Sequence, residues 1–298
     1  MMASAAAEEA IARYLPVVTR ALARAVPSVS GSLETVHEAM RYSLTAGGKR
    51  LRPALCLASC EAVGGDPERA AGPAAALELV HTYSLIHDDL PCMDDDDLRR
   101  GRPTNHKVYG EAMAVLAGDG LLTRAFGLLA EDSSHPEAAR LEMIRTLAVA
   151  AGSLGMVGGQ ALDLAAEGSE DVDLPTLQYI HTHKTGALFG ASCRLGGLAG
   201  GASEDELGHL MKYGEKIGLA FQIVDDLLDA TGRTEDLGKA SGKDLARGKA
   251  TYPGLLGLEE SRSRVEELAA QATEIAKGFG NRAESLAQLA RFVVDRSC

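Results

Sequence analysis

The sequence predicts an all-α fold in a single domain that spans residues 1–298. Alanine and leucine dominate, β-branched alternation is rare, and charges recur at three- and four-residue spacing. Only one of the ten prolines, Pro253, follows Pro175, so the later part of the chain can hold long helices. No glycine- or serine-rich linker divides the chain, which favours one helical bundle.

The predicted helices are apolar segments with regularly spaced charges, several of them separated by prolines. In chain order they cover residues 4–24, 31–46, 52–64, 69–89, 106–131, 136–157, 175–199, 203–231, 261–279 and 283–296. Ser203 and Glu206 have the spacing of a capping box, which predicts that a helix begins there.

Composition and charge exclude several classes of function. Apolar residues make up 46% of the chain, enough for a sizeable core, and the net charge of −12 argues against nucleic acid or an anionic membrane surface as a partner. The longest uncharged stretch, Thr146–Leu162, is interrupted by glycines and is a poor membrane span. The five cysteines form no CxxC pair, and residues 1–12 lack a basic start. We therefore expect a cytoplasmic protein with reduced thiols and no signal peptide.

An acidic pattern occurs twice, each time at the end of an apolar helical segment. The first copy is Leu85–Asp94 and the second is Phe221–Asp229. Buried carboxylate clusters are costly without a partner charge, and divalent metal ions together with a polyanion would provide one. The two copies are most easily explained if they face each other across a central cavity of the bundle.

The two copies differ in geometry. Asp225 and Asp229 are four residues apart and share a helix face, which Gln222 extends by one turn. Asp88 and Asp94 do not match a helix face, but Pro91 predicts that the helix ends near Asp89 and that the chain loops back. Oxygen ligands supplied in ones and twos suit Mg²⁺. A solvated acidic run and a calcium loop are the alternatives for the first copy.

Basic clusters surround the acidic motifs in the sequence and would suit a pocket for two polyphosphate groups, one bound through metal and one bound directly by Lys and Arg. They are Lys49 with Arg52 after a glycine pair, Arg99 with Arg100 after the first acidic run, Lys184, and Lys239. Solvated surface patches are the alternative for each cluster alone. Helical spacing places Ser84 and His81 on the helix face of Asp88, with Tyr83 at its edge. The tail of a ligand held by metal at Asp88 would extend past Ser84 and Tyr83, while His81 is either a structural histidine or a donor to a bound anion.

With these acidic and basic motifs the sequence resembles the trans-isoprenyl diphosphate synthases, most closely the bacterial farnesyl diphosphate synthases. The resemblance runs from about Gly47 to Pro253. It rests on the motifs GGKRLRP, DDLPCMDDDDLRRGRPT, GGQALDL, HKTGALF, FQIVDDLLD and LGKASGKDLARGKATYP. It implies the isoprenoid synthase fold, a helical bundle around a central catalytic cavity, and a homodimer.

The resemblance also implies a role for individual residues. Asp88 and Asp94 would bind two Mg²⁺ ions, and Asp225 with Asp226 and Asp229 a third, with Mn²⁺ as an alternative ion. Arg99, Lys184 and Lys239 would bind the allylic diphosphate, while Lys49, Arg52, His81 and Arg100 would bind isopentenyl diphosphate. Thr185 and Gln222 would lie near the developing cation, and Tyr83 with Ser84 would limit the product length.

The implied reaction condenses isopentenyl diphosphate head-to-tail with dimethylallyl or geranyl diphosphate, giving farnesyl diphosphate and free diphosphate. A geranylgeranyl diphosphate synthase is the nearest alternative. A non-catalytic regulatory subunit would typically lose one aspartate motif, and a terpene cyclase would replace the second one. Both are disfavoured because this chain has both motifs, no tryptophan and 4% aromatic residues. A calcium-binding structural protein would show metal-dependent folding without turnover.

Overall fold

Helices make up almost all of the secondary structure, as the sequence predicts. The computed structural model describes residues 2–169, 171–232 and 249–295. Its helices are α1 Met2–Ala25, α2 Glu34–Leu44, α3 Leu51–Ala62, α4 Ala71–Asp88, α5 Asn105–Tyr109, α6 Glu111–Glu131, α7 Glu137–Ala151, α8 Met156–Ala166, α9 Leu174–His181, α10 Ala187–Gly200, α11 Glu204–Thr231, α12 Tyr252–Leu256, α13 Leu258–Lys277 and α14 Glu284–Asp295.

Shorter elements connect these helices. Two 3-10 turns cover Pro67–Ala70 and Gly280–Ala283, and a π-helical turn covers Thr182–Gly186. One small antiparallel hairpin pairs β1, Leu98–Arg99, with β2, Arg102–Pro103. This hairpin follows the first acidic motif, and the sequence gives no alternating pattern long enough to predict it.

Three predicted helices are interrupted, in each case for a local backbone reason. Gly110 has φ 85, outside the helical region, and separates α5 from α6 within the predicted helix 106–131. The predicted helix 136–157 stops at Ala151, and α8 begins only at Met156 after a glycine-containing turn. The predicted helix 175–199 holds the π turn between α9 and α10.

The core lies where α3, α4, α10 and α11 pack against one another. Helix α10 is buried on nearly every face, because glycines allow its neighbours to approach closely. A Cβ at Gly196 would overlap the carbonyl oxygen of Cys56, so α3 and α10 require glycine at this position. These central helices hold both acidic motifs at fixed positions.

The capping box predicted at the start of α11 is confirmed. The Ser203 hydroxyl accepts a hydrogen bond from the Glu206 backbone N–H at 3.3 Å, and the Glu206 carboxylate accepts one from the Ser203 N–H at 2.8 Å. The helix then runs without interruption to Thr231 and carries the second acidic motif on its last turns.

Two segments are long and apolar enough to cross a membrane by length and composition, Glu111–Glu131 and Glu137–Ala166. About 33% of each window is buried inside the protein, so much of their apolar surface faces outward. The second segment is two helices, since α7 ends at Ala151 and α8 begins at Met156. An outward apolar face on adjoining helices suits contact with another apolar surface.

Candidate active site

A cavity of about 930 Å³ opens between the two acidic motifs. Its wall combines residues from α3, α4, α8, the π turn, α11 and the segment that precedes α12. Of the residues proposed from the sequence for the site, all except Lys239 line it. Lys239 lies outside the described residues.

The first acidic motif has the loop geometry that Pro91 predicts. Helix α4 ends at Asp88, and the Asp94 backbone N–H donates to the Asp88 carbonyl at 2.8 Å, which brings the two aspartates together at the cavity. Asp89 and Asp96 are buried beneath this loop, where both carboxylates face Arg99. The motif therefore has an outer pair, Asp88 and Asp94, brought together at the cavity, and a more buried inner pair held by a cation, of which Asp96 also reaches the cavity wall.

Arg99 is part of this inner layer. Its Nε donates to both Asp89 oxygens at 2.7 and 2.9 Å, and its Nη2 lies 3.6 Å from Asp96. Burial lowers the pKa of the guanidinium, but the hydrogen bond and charge of Asp89 outweigh burial and raise the pKa overall. The side chain lines the cavity while Asp89 fixes its orientation.

A further group of metal-type ligands lies on the other side of this loop. Oxygens of Asp95 and Asp97 and a ring nitrogen of His106 lie within 4.8 Å of one another. None of these three residues lines the cavity. Asp97 is paired with Lys107 at 2.7 Å, and one His106 nitrogen lies 3.2 Å from the Thr104 hydroxyl, so local partners already occupy much of this group.

The second acidic motif also has an outer and an inner layer. Asp225 and Asp229 line the cavity from one face of α11. Asp226 is only 4% exposed, and its Oδ2 accepts hydrogen bonds from the His181 ring and the Tyr252 backbone N–H, both at 3.0 Å. Its proposed role as a metal ligand stays a prediction, and the structure adds a role in joining α11 to α9 and α12.

The π turn at Thr182–Gly186 directs two side chains into the cavity. A Cβ at Gly159 would overlap the Lys184 backbone nitrogen, so this glycine lets α8 pack directly against the turn. The Thr185 hydroxyl donates to the Gln222 side-chain oxygen at 2.8 Å. Thr185 and Gln222 thus form one polar unit beside the second acidic motif, and their role near a developing cation stays a prediction.

Lys184 and two residues that the sequence reasoning missed form an ion-pair cluster. Lys184 Nζ donates to Asp163 Oδ2 at 2.6 Å, and Lys249 Nζ lies 3.4 Å from the same oxygen. Burial lowers the pKa of Lys184, but Asp163, together with Asp88 and Asp94, outweighs burial and raises the pKa. Asp163 lies in the motif GGQALDL and Lys249 in the motif LGKASGKDLARGKATYP, so these two motifs were the signal by which the sequence could have indicated both residues.

One end of the cavity, beside the start of α3, is strongly cationic. Lys49, Arg52 and Arg100 line it together with His81. Burial lowers the pKa of Arg52 to about 10, and burial with the nearby arginines holds the pKa of His81 well below its usual value. Within the described part of the chain, the buried Arg52 Nε has no hydrogen-bond partner. This end suits an anionic ligand, with His81 as a neutral donor.

The cavity becomes apolar beside α4 and α6. Tyr83 is 7% exposed and packs edge-on against the His87 ring, with 5.6 Å between ring centroids. Helix α6 can approach because a Cβ at Gly118 would overlap the His87 ring. Ser84 donates to the His81 carbonyl at 2.9 Å, so its hydroxyl is directed at the backbone. Tyr83 therefore presents the larger obstacle to an extended tail.

Paired carboxylates, buried cations and an apolar recess in one helical bundle define a class of metal-dependent enzyme that acts on diphosphates with apolar tails. The chain belongs to the polyprenyl synthetase family, whose profile matches residues 33–288. It is a prenyltransferase of isoprenoid biosynthesis, and enzymes of this family use divalent metal ions.

Relatives and solved structures agree on this family. Heterodimeric geranylgeranyl pyrophosphate synthase large subunit 1, chloroplastic, of Arabidopsis thaliana is 50% identical over 286 residues, which cover 94% of this chain and 76% of the relative. Geranylgeranyl diphosphate synthase of Cyanophora paradoxa is 48% identical, covering 94% and 93%. The crystal structure of an FPP/GFPP synthase from Zymomonas mobilis has a TM-score of 0.87 and 44% identity, covering 97% and 99%.

We expect Asp163→Asn to lower kcat/KM by about 10- to 100-fold, since a charge-assisted hydrogen bond contributes about 1.5–3 kcal/mol. Asp163 raises the pKa of Lys184 and burial lowers it, so loss of the carboxylate lets this pKa fall. The alkaline decline of kcat/KM should therefore begin at lower pH than in the wild type. Steady-state rates from pH 7 to 10 measure both effects, with the exposed Asp171→Asn as control. An unshifted alkaline decline would contradict this role.

Proposed function

We propose that this prenyltransferase condenses isopentenyl diphosphate with dimethylallyl and then geranyl diphosphate, with Mg²⁺, and releases farnesyl diphosphate. The observation that carries the proposal is the division of one cavity into an acidic side, a cationic end and an apolar recess. A metal-bound diphosphate suits the acidic side, a second diphosphate suits the cationic end, and a growing hydrocarbon tail suits the recess.

The donor set fits Mg²⁺. Asp88 and Asp94 on one wall and Asp225 and Asp229 on the other offer carboxylate oxygens alone, which are hard ligands. We propose two ions at the first pair and a third at the second, with Asp226 contributing chiefly through its hydrogen bonds and Mn²⁺ as an alternative ion. When bound, the ions would neutralise charge on the departing diphosphate.

The side chains support the chemistry in a clear order. Lys184, oriented by Asp163, would stabilise the diphosphate as the allylic C–O bond ionises, together with Lys249 and Arg99. The Thr185–Gln222 pair would present oxygen dipoles to the allylic cation. The alkene of isopentenyl diphosphate then attacks, and a proton leaves. We assign no protein base, because the departing diphosphate itself can accept that proton.

Replacing Asp88 with alanine tests the reaction. We expect Asp88→Ala to fold and to lose Mg²⁺-dependent condensation by at least ~10²-fold, because it removes a charge contact made in the transition state. The readout is incorporation of radiolabelled isopentenyl diphosphate with C5, C10 or C15 allylic partners. Asp97→Ala, in the same acidic run but outside the cavity lining, should retain activity. Near-normal turnover by Asp88→Ala would refute the assignment.

The C15 product is supported by Tyr83, whose ring lies five residues before Asp88 and obstructs the recess. A geranylgeranyl product is the second candidate, and it is favoured by the names of the Arabidopsis thaliana and Cyanophora paradoxa relatives. The first relative's name also describes a heterodimeric subunit. A purely regulatory role is disfavoured here because both acidic motifs face the cavity.

Tyr83→Ala should lengthen the product, since it removes most of the ring that ends the recess. Mass spectrometry of products made from dimethylallyl and isopentenyl diphosphates should show C15 for the wild type and C20 or longer for the variant. Tyr83→Phe keeps the ring and should retain C15. A wild-type C20 product would favour the second candidate, and an unchanged C15 product from Tyr83→Ala would reject Tyr83 as the limit.

We propose a homodimer formed through the outward apolar faces of α6 and α7. Leu116 on α6, Val149 on α7 and Leu154 in the turn after α7 are 53%, 47% and 77% exposed. The two helices pack side by side, so these side chains can form one continuous patch. A second copy of the chain offers the same apolar patch and is therefore the proposed partner. We also propose a cytoplasmic location.

The wild type should have a mass near twice 31.2 kDa in sedimentation equilibrium. Leu116→Asp with Leu154→Asp should give the monomer mass, because a charge buried at the contact is costly. Leu33→Asp, exposed at the start of α2, is the matched control and should stay dimeric. A monomeric wild type would contradict the proposed dimer.

A further inference from the structure

A buried ion pair lies behind the cationic end of the cavity. Glu78 on α4 has a side chain that is 3% exposed and accepts a hydrogen bond from Arg50 Nη1. Arg50 Nη2 donates to the Leu44 carbonyl at 2.6 Å, at the end of α2. One guanidinium therefore connects the end of α2, the start of α3 and the middle of α4.

Arg50 has an unusual backbone as well as buried partners. Its φ of 49 places it in the left-handed region at the N-cap of α3, directly between Lys49 and Arg52. This conformation is unfavourable for a residue with a side chain and persists only where surrounding contacts hold it. The hydrogen bonds to Glu78 and to the Leu44 carbonyl are contacts of this kind. They consequently fix the turn from which Lys49 and Arg52 extend.

Glu78 also acts electrostatically on the other cations. Burial lowers the pKa of Arg52 and Arg100, and in both cases the charge of Glu78 is the largest influence in the opposite direction. Arg100 donates in turn to the Gly47 carbonyl, and its guanidinium occupies the place where a Cβ of Gly48 would be. Several like charges are thus gathered at this end of the cavity, with one buried carboxylate offsetting their repulsion.

We propose that Glu78 and Arg50 are positioning residues for isopentenyl diphosphate, holding Lys49, Arg52 and Arg100 in their binding arrangement. This inference rests on the proposed function, which assigns the cationic end to that substrate. Two effects of Glu78 oppose each other. Its negative charge repels a diphosphate. Its hydrogen bond to Arg50 and its attraction for the charge of Arg52 instead favour a binding site whose cations are already in position. The buried hydrogen bond between Glu78 and Arg50 and the left-handed turn at Arg50 indicate that positioning of the cations outweighs the repulsion of the diphosphate.

The test measures KM for each substrate separately in the full-length enzyme with Mg²⁺. We expect Glu78→Gln to raise KM for isopentenyl diphosphate at least tenfold, with KM for geranyl diphosphate within twofold of wild type. Calorimetric titration with isopentenyl diphosphate alone should show the same loss of affinity. Glu61→Gln, which also removes an arginine partner but lies outside the cavity lining, is the control and should change neither constant.

A second variant separates positioning from general stability. Removing one partner of a buried pair leaves an uncompensated charge and can destabilise the fold, so Glu78→Gln with Arg50→Gln removes both charges together. We expect this double variant to regain melting temperature while KM for isopentenyl diphosphate stays raised. Recovery of that KM along with stability, equal changes in both KM values, or an unchanged or lower KM in Glu78→Gln would each overturn the inference. A wild type that condenses no isopentenyl diphosphate would instead refute the proposed function.

Discussion

The structure depends on gathering like charges within one partly buried cavity. Carboxylates repel one another on one side and guanidinium and ammonium groups repel one another on the other, at distances where water screens only part of the interaction. The bundle must therefore stabilise each cluster from within the protein. The described residues do this with buried partners: Arg99 beside the first acidic motif, hydrogen-bond donors around Asp226 in the second, and Glu78 behind the cations.

Each inner layer also joins separate parts of the chain. Asp89 and Asp96 bind Arg99 and so hold the loop that carries Asp94. Asp226 joins α11 to α9 and to the start of α12 through His181 and Tyr252. Because the counter-charges are buried, breaking one leaves an unpaired ion in a region of low polarity. The charge arrangement and the tertiary fold consequently stabilise each other.

The sequence predicts best what is local. Pro91 predicts the end of α4, Ser203 and Glu206 predict the start of α11, and the four-residue spacing of Asp225 and Asp229 predicts their shared face. It predicts less well where backbone geometry depends on packing, as at the π turn, which requires the close approach of Gly159. It misses Asp163 and Lys249 because Asp163 contacts Lys184, 21 positions away, and Lys249, 86 positions away, and contacts of this range are not visible in a local pattern.

In the function that we propose, helix α4 links the diphosphate site to product length. Asp88 ends this helix, Tyr83 lies five residues earlier, and His81 and Glu78 follow on preceding turns. At 1.5 Å of rise per residue, the separation between the metal-type aspartate and the tyrosine is fixed at ~7.5 Å along the axis. A Cβ at Gly118 would overlap the His87 ring, so α6 packs closely against α4 at this level. If Tyr83 ends the tail pocket as we propose, the length of tail that fits is therefore set by the spacing of residues within this one helix.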